Sequence, residues 1–152
     1  MRRLLPAVLL LIAAAPTGDP PIQPGQWEAT STATSIQVPG IPGFIALMMQ
    51  KPQVEKRCIA PEDAKRGPIQ ALRNRKGCTV QTDVMTKDAF DFATLCPEKD
   101  GAQSTIHMWG RFTPTSYTAS GTIRGTGGKK GDIRIDFTGS ARRLGDCPAV
   151  KP

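Results

Sequence analysis

Three runs of alternating apolar and polar residues constrain the fold of this chain more than any other feature. They cover residues 105–112, 116–124 and 132–142, with apolar side chains at every second position. A period of two sends successive side chains to opposite faces of a β-strand. Pro114 and the glycine-rich segment 125–131 separate the runs, as hairpin connections do. The sequence therefore predicts an antiparallel meander with one face toward a core and the other toward water.

The residues before the meander add further strands and one helical segment. Strands are predicted at 27–38, 53–59, 79–86 and 89–96, and one broken helix or two short ones at 61–76. The high content of Gly (15) and Pro (14) suits a chain of short strands joined by turns. The predicted class is all-β with a small helical insert, a curved antiparallel sheet or incomplete barrel of about seven strands.

The beginning of the sequence has the pattern of a secretory signal peptide. Arg2 and Arg3 precede an apolar run at 4–15 that ends in small residues. An uncleaved amphipathic anchor is the alternative, but the run is too short to span a bilayer, so no transmembrane segment is expected in the mature chain. The predicted organisation is a signal peptide at 1–18, a loose proline-rich lead at 19–24 and a single β-rich, disulfide-bonded domain at 25–148. The predicted location is the periplasm or the exterior.

Four cysteines follow the predicted signal peptide. An even number in an exported chain indicates two disulfides, and no Cys-x-x-Cys spacing supports a zinc site. Of the three possible pairings, Cys58–Cys78 and Cys96–Cys147 are predicted because each would join neighbouring elements.

The chain is basic, with a formal charge of +7 that falls to +5 without Arg2 and Arg3. Export and the scattered placement of the charges argue against nucleic acid as a partner. An anionic envelope surface is a more natural partner, and a plain solubilising surface is the alternative.

One apolar segment stands apart from the strand pattern. Pro-Gly pairs at 39–43 preclude a regular element at its start, but the next residues are strongly apolar: Phe44, Ile45, Leu47, Met48 and Met49. The prediction is a short helical turn that closes one end of the sheet and packs against the face bearing Phe90, Phe92 and Phe137. The alternatives are a flap over an apolar pocket and a partner-binding loop.

Few residues of the sequence could serve as a catalytic base or nucleophile. His107 is the only histidine, it lies in the middle of a predicted strand, and the cysteines are predicted to be oxidised. No catalytic residue, metal site or cofactor is predicted. The polar face of the meander offers His107, Trp109 and Arg111, where an exposed indole among arginines could stack or hold an anion.

Three motifs resemble a known family in their order. They are Pro-Gly-Gln-Trp-Glu at 24–28, Cys-Ile-Ala-Pro-Glu-Asp at 58–63 and Arg-Arg-Leu-Gly-Asp-Cys-Pro at 142–148. The set is similar to a family of small exported proteins of Gram-negative bacteria, domain of unknown function 3617. Ala60 departs from the Ser or Thr expected there, which weakens the helix cap. The resemblance implies a periplasmic, β-rich, disulfide-bonded domain and transfers no catalytic residues.

The leading functional hypothesis is a non-enzymatic periplasmic binding or envelope-associated module of unknown ligand. A small apolar-ligand carrier with residues 44–49 as its lid is the alternative, and a hydrolase is the third.

Overall fold

The computed structural model describes residues 21–73, 75–126 and 131–149, so the predicted signal peptide lies outside the described residues. The elements, in chain order, are β1 Gly25–Gln37, α1 Gly43–Met49, β2 Gln53–Ile59, α2 Pro61–Ala64, α3 Gln70–Arg73, β3 Thr79–Met85, β4 Ala89–Pro97, a 3₁₀ turn Lys99–Gly101, β5 Gln103–Thr113, β6 Ser116–Thr126 and β7 Ile133–Gly145.

The seven strands form one antiparallel sheet in the order β2-β1-β7-β6-β5-β4-β3. The sheet is open, with β2 and β3 at its two edges, so the predicted all-β class is confirmed. The predicted meander corresponds to β5, β6 and β7, and its period of two sets the two faces. Ile106, Ala119 and Ala141 are buried on one face, whereas His107, Thr122 and their neighbours occupy the other.

A helical crossover covers part of the core face. Residues 60–78 carry the chain from edge strand β2 to the opposite edge strand β3, with α2 and α3 as two short helices. Ala64 and Ile69 of the crossover are buried in one cluster with Phe90 and Phe92 of β4. Burial of these apolar side chains stabilises the packing of the crossover against the sheet.

Trp27 anchors another part of the core. Its side chain is 1% exposed, its ring stacks on Tyr117 with centroids 6.0 Å apart, and its Nε1–H donates to the carbonyl oxygen of Gln23 at 3.0 Å. Burial is also the main cause that raises the pKa of Tyr117.

The residues just before β1 belong to the fold. Ile22 is fully buried, and the Gln23 amide donates to the carbonyl oxygen of Pro114 at 2.7 Å. The expected loose lead is therefore wrong for residues 21–24, because a buried isoleucine and a backbone hydrogen bond fix them to the sheet.

Gly25 lies where β1 approaches β7 too closely for a side chain. It has a φ of +135°, and a Cβ placed on it would be 2.3 Å from the carbonyl oxygen of Gly145. Beside it, the Arg143 guanidinium donates through Nε to the carbonyl oxygen of Pro24 at 2.8 Å. The first and last sequence motifs thus meet in space.

Both disulfides form, but with a different pairing from the predicted one. Cys58 bonds to Cys147, with Cα atoms 5.5 Å apart, and Cys78 bonds to Cys96, with Cα atoms 4.1 Å apart. The strand order explains the error. Cys58 and Cys78 lie at opposite edges of the sheet, six strand spacings or roughly 29 Å apart along it. They are neighbours only along the chain.

The prediction for the apolar segment is correct in its conformation and wrong in its packing. Residues 43–49 form α1, but none of its residues is buried. Phe90 and Phe92 are covered instead by the helical crossover. α1 follows the end of β1 at Gln37, and the register places that end far from Phe90.

Candidate functional site

A cleft of about 760 Å³ lies on the polar face of the sheet. Residues from five adjacent strands line it: Gln81, Thr82, Asp91, Ala93, Thr105, His107, Trp109, Thr122, Arg124 and Arg134. The lining thus extends from edge strand β3 to β7. We call this the polar cleft.

The strand register brings these side chains together. Asp91 of β4 lies directly opposite Trp109 of β5, and His107 of β5 lies opposite Thr122 of β6. Farther along, Arg124 of β6 lies opposite Arg134 of β7. Directly opposed residues on one face of a sheet are close enough for their side chains to interact.

His107 is held between a carboxylate and an aromatic ring. Its Nε2 is 2.9 Å from Asp91 Oδ1, and its ring centroid is 4.8 Å from that of Trp109. The contact joins the imidazole of β5 to a carboxyl group of the neighbouring strand β4. Trp109 remains 41% exposed, so its ring borders the open cleft.

A second polar cluster lies toward β7. The Thr122 hydroxyl donates to Asp136 Oδ1 at 2.7 Å, and Arg134 Nε donates to Asp136 Oδ2 at 3.0 Å. The bond from Arg134, followed by that from Thr122, lowers the pKa of Asp136, and the carboxylate in turn raises the pKa of Arg134. Asp136 is therefore a stable anion that offsets one of the two guanidinium charges at this end of the cleft.

The cleft can offer two kinds of contact to a ligand. The exposed part of Trp109 is a flat apolar surface suited to stacking on a ring. Arg124 and Arg134, at the other end, supply guanidinium donors suited to a carboxylate, sulfonate or phosphate group. This arrangement favours a molecule that has a ring at one end and an anionic group at the other.

The residues predicted as a possible ligand or partner surface separate into three places. His107 and Trp109 lie together in the polar cleft. Arg111 lies on the same face of β5, but its guanidinium donates to Asp88 at 2.8 Å. The apolar residues 44–49 are on α1, which does not line the cleft.

The predicted site residues did not include Asp91, Arg124 or Arg134, although the period of two places both arginines on the polar face of the meander. A signal for Asp91 exists, because it alternates with the core residues Phe90 and Phe92 and so must point to the polar face. For the two arginines the missing information was the register between β6 and β7.

Two further cavities lie near the Cys58–Cys147 disulfide. One, of about 270 Å³, lies between β2 and the helical crossover and is lined in part by Arg57, Asp63 and Gln70. The other, of about 450 Å³, is open and is lined by residues around Cys147. α1 lines neither of them.

Within the described ranges, no group of three or more His, Cys, Asp or Glu side chains is placed to hold a metal ion. In the same part of the chain, no helix has both the length and the apolar character needed to cross a membrane.

Comparison with protein families gives one match. A family model described as "Protein of unknown function (DUF3617)" matches residues 22–147, from the buried Ile22 to the last cysteine. Comparisons with curated proteins and with solved structures gave no match.

Proposed function

Since the chain belongs to the DUF3617 family of proteins of unknown function, we propose its function from the site: it is an exported, non-enzymatic binding module, and the polar cleft is its ligand site. The two disulfides fit an oxidising compartment. Residues 1–18, with the pattern of a signal peptide, would direct the chain to the periplasm.

The exposed indole of Trp109 is the observation that carries this proposal. A tryptophan that serves only to stabilise the fold is expected to lie in the core, as Trp27 does. Trp109 instead lies on the polar face, 41% exposed, at the border of a cleft of about 760 Å³. A ring stacked there would cover apolar surface that water now covers.

The position of the arginines sets the size of the ligand. Arg124 lies opposite Thr105, which is four residues from Trp109 on β5. One strand spacing and four residues of rise separate the Cα atoms of Trp109 and Arg124 by roughly 14 Å. An extended arginine side chain covers about half of that distance. The expected ligand is thus a small molecule with a ring and an anionic group, larger than a simple ion.

The chemistry of the cleft favours binding over catalysis. Its described lining includes neither serine nor cysteine. It includes three threonines, of which Thr122 donates its hydroxyl to Asp136. Activation of a hydroxyl nucleophile by a histidine requires a hydrogen bond between the two groups. Among the described residues, the His107 side chain is hydrogen-bonded to Asp91 and to no hydroxyl group.

The test uses two probes that differ in one group, naphthalene-2-sulfonate and the neutral naphthalene-2-methanol, titrated into the protein by NMR. We expect the sulfonate to bind more tightly, with shifts centred on the Trp109 indole. Trp109→Ala should weaken the binding of both probes, whereas Arg124→Ala should weaken that of the sulfonate only. Arg111→Ala is the matched control, since it removes an arginine from the same face outside the cleft.

Equal affinity for the two probes would exclude the anion-binding part of the proposal. Binding that is unchanged in Trp109→Ala would exclude the cleft as the site. If the cleft binds the sulfonate as expected, native mass spectrometry of protein recovered from the periplasm can identify the natural ligand as a co-purifying mass.

A further inference from the structure

α1 exposes an unusual amount of apolar surface for so short a helix. Phe44 and Leu47 are each 66% exposed and Met48 is 60% exposed. Ile45 and Met49 are exposed as well, and none of the seven residues of α1 is buried. No residue between 38 and 50 carries a charge. α1 therefore presents only apolar side chains and backbone to its surroundings.

The exposed side chains of α1 lie on more than one side of the helix and do not form a single stripe. Successive residues of an α-helix are turned by about 100°, so residues 44, 47 and 48 share one side and residues 45 and 49 point to another. A groove on a protein covers one stripe of a helix. The interface of a lipid bilayer, in contrast, can enclose a helix on several sides.

The dimensions of α1 also suit a bilayer interface. Seven residues at 1.5 Å each give a helix of roughly 10 Å, which is too short to cross a hydrocarbon core of about 30 Å. Such a helix can lie in the interface with its apolar side chains buried about 5 to 10 Å deep. Val54, near the start of edge strand β2 and five residues after α1, is exposed as well.

Positive charges accompany the apolar surface. Lys51 is exposed directly after α1. Gln37, where β1 ends before α1, pairs with Arg134 of β7, which in turn faces Arg124. Asp136 is hydrogen-bonded to Arg134, and Asp132 is a further carboxylate near Arg134. The chain as a whole carries +7, or +5 without Arg2 and Arg3. A basic protein with an apolar projection is electrostatically matched to anionic lipid.

We propose that α1 is a membrane-docking element that inserts into the interface of an anionic phospholipid bilayer. Phe44, Leu47 and Met48 would enter the boundary between headgroups and acyl chains, while the sheet and its polar cleft remain outside. This inference rests on the exposure of α1 and on the positive charges near it, and it does not depend on the ligand of the cleft.

The test is flotation of the protein with pure lipid vesicles. Protein recovered after export is used, and its intact mass establishes that residues 4–15, which would bind lipid themselves, have been removed. We expect flotation with vesicles of phosphatidylglycerol and phosphatidylethanolamine, and much less with phosphatidylcholine. Phe44→Ser with Leu47→Ser should lower the partition coefficient by about tenfold or more, since lipid binding scales with the apolar area that is buried.

The matched control is Val80→Ser with Val84→Ser, which removes two exposed apolar residues from the opposite edge strand, β3. This variant should float like the parent. Circular dichroism of both double variants verifies that they fold.

Three outcomes would overturn the proposal. The parent protein could fail to float with anionic vesicles. The α1 variant could float as well as the parent, in which case charge alone mediates the contact. The third outcome is that the parent self-associates without lipid, or binds only vesicles that contain membrane proteins, and that the α1 variant does neither. α1 would then be a protein-binding surface.

Discussion

Cys58 and Cys147 are 89 residues apart in the chain, yet their Cα atoms lie 5.5 Å apart. Cys58 is on edge strand β2 opposite Gln26 of β1, and Gln26 is also opposite Gly145 at the end of β7. The disulfide therefore ties the edge strand to the end of β7 across the beginning of β1. It closes a loop that contains most of the sheet.

The length of this loop predicts unequal contributions of the two disulfides. In the chain-entropy model, a loop of this length contributes about 4.6 kcal/mol, and the 18-residue separation of Cys78 and Cys96 about 3.2 kcal/mol. Cys58→Ser with Cys147→Ser should thus lower the free energy of unfolding more than Cys78→Ser with Cys96→Ser, as measured by urea denaturation. Equal losses would contradict this ranking, and peptide mapping that finds Cys58 linked to Cys78 would contradict the connectivity.

Gly25 should be the glycine least tolerant of substitution at the start of the sheet. Its φ of +135° disfavours any side chain, and the Gly145 carbonyl oxygen would lie only 2.3 Å from a Cβ at this position. We expect Gly25→Ala to destabilise the fold by about 2 kcal/mol or more. Gly40→Ala is the matched control, because Gly40 also has a positive φ, of +80°, but has open space around it. Equal shifts of the urea midpoint in the two variants would show that close packing at Gly25 does not add to the destabilisation by Gly25→Ala.

The sequence predicted the strands well because alternation is a local property. The period of two in 105–112 and 132–142 depends only on which residues face the core. The disulfide pairing was not accessible in the same way, since it depends on whether the helical crossover returns to the same edge of the sheet. Cys58 and Cys78 are 20 positions apart in the sequence, but the crossover spans the whole sheet between them.

The candidate site was predictable in part for the same reason. His107 and Trp109 are two residues apart on one strand, so alternation alone places them on one face. Asp91, Arg124 and Arg134 come from three other strands, and only the register brings them into the cleft. α1 was misplaced because its composition suggested burial, whereas the core that it was expected to cover is occupied by Ala64 and Ile69.

Stability should depend on pH through Asp136 and Glu28. Hydrogen bonds from Arg134 and Thr122 lower the pKa of Asp136, and those from Arg142 and then Lys56 lower the pKa of Glu28. A carboxyl with a lowered pKa in the folded state contributes stability above its unfolded pKa, and this contribution is lost as the pH falls through the folded pKa. The loss is expected below the ordinary values of 3.8 for Asp and 4.5 for Glu.

Asp136→Asn tests this dependence. The variant should be less stable than the parent at pH 7. The difference should narrow as the pH falls below the ordinary value of 3.8, because the unfolded carboxyl of the parent is protonated first and the folded one only at lower pH. Thermal melts between pH 7 and pH 2 measure it. If the difference in melting temperature between variant and parent stayed constant across this range, the contacts of Asp136 would stabilise the fold without its charge.

His107 should matter for binding more than for stability. Its side chain is half-buried and its contacts are with Asp91 and Trp109 at the border of the cleft. We expect His107→Gln to change the free energy of unfolding by less than about 1 kcal/mol and to weaken binding of naphthalene-2-sulfonate. If His107→Gln lowered the free energy of unfolding by several kcal/mol, the Asp91–His107 contact would instead serve to stabilise the fold.

The exposure of α1 leads to a prediction opposite to the one that its composition suggests. Phe44 and Leu47 are each 66% exposed, so Phe44→Ser with Leu47→Ser should leave the melting temperature close to that of the parent. Phe92→Ala is the matched comparison, because Phe92 is 0% exposed and its truncation should cost about 3 to 5 kcal/mol. Differential scanning calorimetry of the three proteins distinguishes the two environments. If the double variant melted several degrees below the parent, α1 would have to pack against the sheet, and its apolar side chains could not be free to enter a membrane.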